Sequence, residues 1–65
     1  MKIYRNSDMR HAIDEFVHNH RYREVLKLKF CEDFTYEEIA GAVNFSPQHV
    51  KYICRSYKDL LMSQI

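Results

Sequence analysis

The sequence predicts an all-α fold, a small bundle of about four helices containing a helix-turn-helix. Three observations carry this. A single Gly and a single Pro in 65 residues, with few β-branched runs, favour short helices over sheet. Apolar residues recur three and four apart in four separate stretches, the period of an amphipathic helix. The stretch from Thr35 to Leu61 then reads as cap, helix, tight turn, cap and longer helix, and the rest of the chain is arranged around it.

Residues 1–6 are read as an arm that either frays or lays Ile3 and Tyr4 against the core. A first helix is expected over 7–18, capped by Asn6 or Ser7, with Asp8 favourable in its first turn and Met9, Ala12, Ile13, Phe16 and Val17 as its apolar stripe. A second is expected over 21–31. Tyr22, Val25, Leu26 and Phe30 face inward there and Arg23, Glu24 and Lys27 outward. Leu28 lies off that stripe, which is expected of a helix touched on more than one side.

The third helix, 35–43, is announced by Thr35 and Glu38, three apart, which match a capping box. Phe34 precedes the cap and is placed to act as a hydrophobic staple. Tyr36, Ile39, Ala40 and Val43 form one stripe. Asn44 stands where the chain turns left-handed, a conformation Asn tolerates better than other non-Gly residues. Ser46 and Pro47 open the last helix, 47–62, because Ser is a good N-cap and Pro at the first helical position gives up no needed donor. Val50, Ile53, Cys54, Tyr57, Leu60 and Leu61 fall on one side of it, and Gln48, Lys51, Tyr52, Arg55, Lys58 and Asp59 on the other.

Length allows one domain, residues 1–65, with one modest core. A multi-layer enzyme does not fit. No local spacing joins nucleophile, base and orienting group, and there is no Gly-rich phosphate loop, so no catalytic residues and no cofactor are expected. Of His11, His18, His20 and His49, only 18 and 20 are close, with no Cys pair beside them, so no metal is expected. Cys31 and Cys54 read as reduced thiols. The N-terminus lacks the apolar core of a signal peptide and no run reaches a membrane span, so the protein is expected to be cytoplasmic and off the membrane.

The net charge of +1 is low for a nucleic-acid binder, but its distribution is uneven. Residues 1–30 hold seven Lys and Arg against four acids; residues 31–45 hold four acids and no base; residues 46–65 hold three bases against Asp59. The last group lies on the outward face of the last helix, where phosphates would be met. Gln48, Lys51, Tyr52 and Arg55, three or four apart, share one strip short enough for a single major-groove passage. The bland alternative is a solvated helix face.

From Arg23 to Leu61 the chain resembles region four of bacterial sigma factors, the domain that brings polymerase to the upstream promoter element. The pieces that carry the resemblance are R-E-V-L, F-T-Y-E-E-I-A, S-x-x-x-V-K and the closing L-L. It implies a helical domain whose last helix enters the major groove of double-stranded DNA in a sequence-specific way and regulates transcription. By position it implies base-edge contacts from Gln48, Lys51 and Tyr52, and backbone contacts from Arg55 and the helix starts around Thr35 and Ser46. Tyr36, His49 and Lys58 adjoin these positions and complete the candidate DNA-binding set. Pro47 departs from the polar residue common there, which changes the expected target, and Asn44 replaces the commoner Gly. The chain is too short for the promoter-melting domain of a working sigma factor, so the expectation is a free-standing relative, such as a small regulator of a phage, plasmid or mobile element, or half of a split factor.

Sigma region four also docks polymerase, which implies an alternative function: a protein-binding module that occupies RNA polymerase or another DNA-binding protein and modulates it. Met62 and Ile65, expected to be exposed, and a surplus of Tyr and Phe supply apolar material for such a partner or for a homodimer. A dimer suits a free-standing reader, because one helix reading a few base pairs rarely gives enough affinity alone.

Overall fold

The computed structural model describes residues 6–64. Residues 1–5 of the expected arm, Ile3 and Tyr4 among them, and Ile65 lie outside the described residues, and Asn6 opens the first helix. Four helices follow in order: α1 (Asn6–Phe16), α2 (His20–Phe30), α3 (Tyr36–Val43) and α4 (Pro47–Ser63). There is no strand among the described residues.

Helices α2 and α4 form the centre, since each packs on α1 and on α3, whereas α1 and α3 do not meet. The core takes Met9, Ala12, Ile13 and Val17 from the first segment, Val25 and Leu26 from α2, Ile39, Ala40 and Val43 from α3, and Val50, Ile53, Cys54 and Leu61 from α4. Leu28 is half-buried against this core. Its position off the main stripe follows from α2 having neighbours on three sides.

The helix ends are set by local chemistry. The Thr35 hydroxyl accepts from the Glu38 amide at 3.1 Å, and the Glu38 carboxylate accepts from the Thr35 amide at 2.8 Å. Such a box satisfies two otherwise free donors and contributes about 1 kcal/mol. Asn44 ends α3 at φ 62 and ψ 40, in the left-handed region. The Ser46 hydroxyl accepts from the His49 amide at 3.1 Å, with Pro47 at the start of α4. Only Asn44, Phe45 and Ser46 separate α3 from α4.

Several expectations are corrected. Asn6 and Ser7 already lie within α1 and so are not its cap. That helix closes at Phe16, two residues before its expected end, and α2 starts at His20. Its N-cap is Asn19, whose side chain accepts from the Arg21 amide at 2.9 Å and the Tyr22 amide at 3.2 Å. Leu60 is 39% exposed, because it lies roughly 80° round α4 from the Val50 position, at the edge of the buried arc. Phe34, placed to act as a staple, is 38% exposed. Its backbone is held on both sides: the amide donates to Leu28 O at 3.0 Å and the carbonyl accepts from Lys29 at 3.3 Å. Met62, expected to be exposed, is half-buried on the core. No helix among the described residues is long and apolar enough to cross a membrane.

Candidate nucleic-acid interface

The outer face of α4 follows from what its inner face does. Burial of Val50, Ile53, Cys54 and Leu61 fixes the rotation of the helix. At about 100° per residue, Gln48, Lys51, Tyr52, Arg55 and Lys58 must then point away from the bundle. All five are exposed, Tyr52 to 68%. None makes a hydrogen bond or ion pair among the described residues. The Tyr52 ring is two-thirds open to solvent, and the polar groups around it have no internal partner among the described residues.

Two shallow clefts flank this ridge. On one side Gln48, Lys51, Tyr52, Arg55 and Ser56 line a space of about 330 Å³. On the other, Lys51, Arg55 and Lys58 meet Lys29 and Phe30 of α2 and Tyr36 of α3 around about 360 Å³. The fold thus brings Tyr36 together with three of the α4 candidates. Thr35 and Ser46 are exposed at the starts of α3 and α4, with their hydroxyls engaged by the amides they cap.

His49 is placed differently. Its ring is half-buried, 4.6 Å from the Phe45 ring and edge-on to Tyr22 at 6.3 Å, so it belongs to the packing of the turn and not to the exposed strip. The reason is angular: His49 sits about 100° from Gln48 and faces α2. Ser56 and Lys29 were missed from sequence. Ser56 follows Tyr52 by one helical turn, a signal that was available. Lys29 carries no local signal, because only the packing of α2 on α4 brings it to the ridge.

The five described bases of residues 6–30 all have partners inside the bundle, Lys29 through the Phe34 carbonyl. Arg10 pairs with Glu32, and Lys27 with Asp14 at 2.7 Å. Arg23 donates to the carbonyls of Val17 and of Asp14, and Arg21 to Val43 O at 2.7 Å while lying over Phe45. The two arginines cap the C-terminal ends of α1 and α3, where cations are favoured. Among the described residues, positive charge without an internal partner is therefore concentrated on α4. The Lys27 ammonium bonded to Asp14 holds that carboxyl below its ordinary pKa, whereas burial pushes the Cys31 and Cys54 thiols up. Among the described residues no three potential ligands come together to hold a metal.

Two capped helices joined by a tight turn through a left-handed Asn, the second carrying an exposed polar ridge, define a helix-turn-helix domain. Residues 19–60 match the family described as Sigma-70, region 4, well over half of the chain. The protein belongs to that family, whose domains are DNA-binding helix-turn-helix modules and not enzymes. No curated protein and no solved structure is significantly similar to it.

Proposed function

We propose that the chain is a sequence-specific reader of double-stranded DNA that regulates transcription, with α4 entering the major groove. The supporting observation is the ridge itself: five exposed polar or aromatic side chains without internal partners among the described residues, on the side of α4 opposite four buried ones. Gln48 pairs well with adenine, Lys51 with guanine, and the Tyr52 ring with a thymine methyl. Arg55 and Lys58 meet phosphates, together with the starts of α3 and α4 at Thr35, Tyr36 and Ser46, where helix amides favour anions. The experiment is selection of bound duplexes from a random pool, followed by mobility shifts on the selected site. A protein that ignores all duplexes even at low ionic strength would overturn the reading.

A second reading, in which the domain docks RNA polymerase and modulates it, draws on Leu60 and Phe34, exposed by 39% and 38%. Pull-down with polymerase in parallel with the mobility shift separates the two. Homodimer formation, which would supply a second reading helix, is measured by sedimentation with and without the selected duplex.

A further inference from the structure

Burial of Val50, Ile53, Cys54 and Leu61 fixes which side of α4 faces out, but apolar contact is non-directional and does little to stop the helix sliding along its own axis. One half-buried side chain of α2 opposes that slide. Tyr22 meets the His49 ring edge-on at 6.3 Å and 88°, and the Tyr57 ring at 6.1 Å and 72°. His49 and Tyr57 stand eight residues apart, about 12 Å along a helix. A ring almost equally far from both lies between them, with one contact on each side.

A slide of α4 by one residue is about 1.5 Å. It lengthens one ring pair while it shortens the other, and both pairs already stand in the upper part of the range, roughly 4.5–7 Å, over which such rings attract. Tyr22 is held in its own turn, since its amide donates to Asn19 Oδ1 at 3.2 Å in the cap of α2. Its neighbour Arg21 holds the last residue of α3 through Val43 O at 2.7 Å. The first turn of α2 therefore sets α4 and α3 relative to each other.

With Thr35 and Tyr36 of α3 on phosphates, the register of the whole protein on a duplex is set. A slide of α4 against α3 cannot then be taken up by moving the whole protein. One residue of slide carries Gln48, Lys51 and Tyr52 well beyond the roughly 0.5 Å within which a binding constellation must be held.

We propose that Tyr22 is a specificity-determining positioning residue: it fixes where along its axis α4 holds Gln48, Lys51 and Tyr52 against the bases, and does so from outside the ridge. This rests on the function proposed above.

The test compares the full chain with Tyr22→Leu, which removes the ring, and Tyr22→Phe, which keeps it. Ile13→Val, in the buried face of α1, is the control for lost stability alone. Each protein is melted, and its affinity is measured over a salt series on the duplex selected by the native chain and on single-base variants of it. Tyr22→Leu is expected to lower the ratio of selected to altered site by about tenfold, within what one base contact discriminates, and to leave the slope of log affinity against log salt unchanged. Tyr22→Phe and Ile13→Val should keep the native ratio. A native ratio in Tyr22→Leu overturns the proposal, as does an equal loss in Ile13→Val, which would make it general loosening, or an equal loss in Tyr22→Phe, which would make it the hydroxyl. If the native chain binds no duplex, the DNA reading fails by itself, and solution structures of the free proteins decide the positioning role: α4 displaced along its axis in Tyr22→Leu and not in Tyr22→Phe supports it, and superposable α4 in all three overturns it. Should Tyr22→Leu fail to fold, Tyr57→Leu, which removes one ring pair from a half-buried position, takes its place with the same outcomes.

Discussion

Arg21 Nη1 donates to the carbonyl oxygen of Val43 at 2.7 Å, tying the first turn of α2 to the last residue of α3. The same guanidinium lies 5.4 Å from the centroid of Phe45, in the turn between α3 and α4. One side chain of α2 thus holds the angle at which α4 leaves the motif.

Arg21→Ala leaves the Val43 carbonyl without this donor and Phe45 without its cation, and is expected to lower stability by about 1–2 kcal/mol. Urea denaturation measures it. Arg21→Lys should recover only part, since an ammonium lacks the planar fork that serves carbonyl and ring together. An unchanged midpoint for Arg21→Ala would show that the contact contributes nothing.

Gly41 lies inside α3 on its exposed face, without a positive φ, and a Cβ added there meets nothing within 4 Å. Gly41→Ala should therefore raise stability by about 0.5–1 kcal/mol, because Ala loses less backbone entropy on entering a helix. Thermal melting checks the sign. DNA binding should not fall, since Gly41 lines neither cleft of the ridge.

On the ridge, Lys51 and Arg55 should behave differently. Lys51→Ala is expected to reduce discrimination between selected and altered sites by about 1–3 kcal/mol at one base position. Arg55→Ala should weaken all sequences alike and lower the salt slope by about one. Binding curves on matched and mismatched duplexes at several salt concentrations distinguish the two patterns, and identical effects of the two substitutions would refute the division into base and phosphate contacts.

Asp14 is an exposed carboxylate hydrogen-bonded to Lys27, which holds its pKa below the ordinary value. A folded-state value that is depressed gives stability present above the unfolded pKa and lost as pH falls through the folded one. Asp14→Asn should therefore be slightly less stable than the native chain at neutral pH, with the gap closing in acid. The effect is small, because the pair is open to solvent. A gap that widens on acidification would contradict the assignment.

Which parts of this were legible in advance follows from how local each signal is. Thr35 with Glu38, Asn44, and Ser46 with Pro47 act within one turn of the chain, so their caps and the tight connection could be read directly. Asn19 acts as locally, but Tyr22 stands where a Glu or Gln would complete a capping box, and the cap went unread. Leu60 and His49 sit at opposite ends of α4 but on one edge of its buried arc. Periodicity gives the centre of such an arc well and its edges poorly, because the width depends on what packs alongside.

The pattern of apolar spacing and capping residues by itself determined that this chain is all-helical, that it contains a helix-turn-helix, and which side of α4 faces out. Tertiary structure alone decided that the arginines of α2 serve the ends of α1 and α3, that His49 belongs to the turn, and that Lys29 joins the cations of α4. The physical reason is reach. Helix formation and capping are settled within a turn or two of backbone, whereas the partner of a long charged side chain depends on which helices α2 comes to lie against.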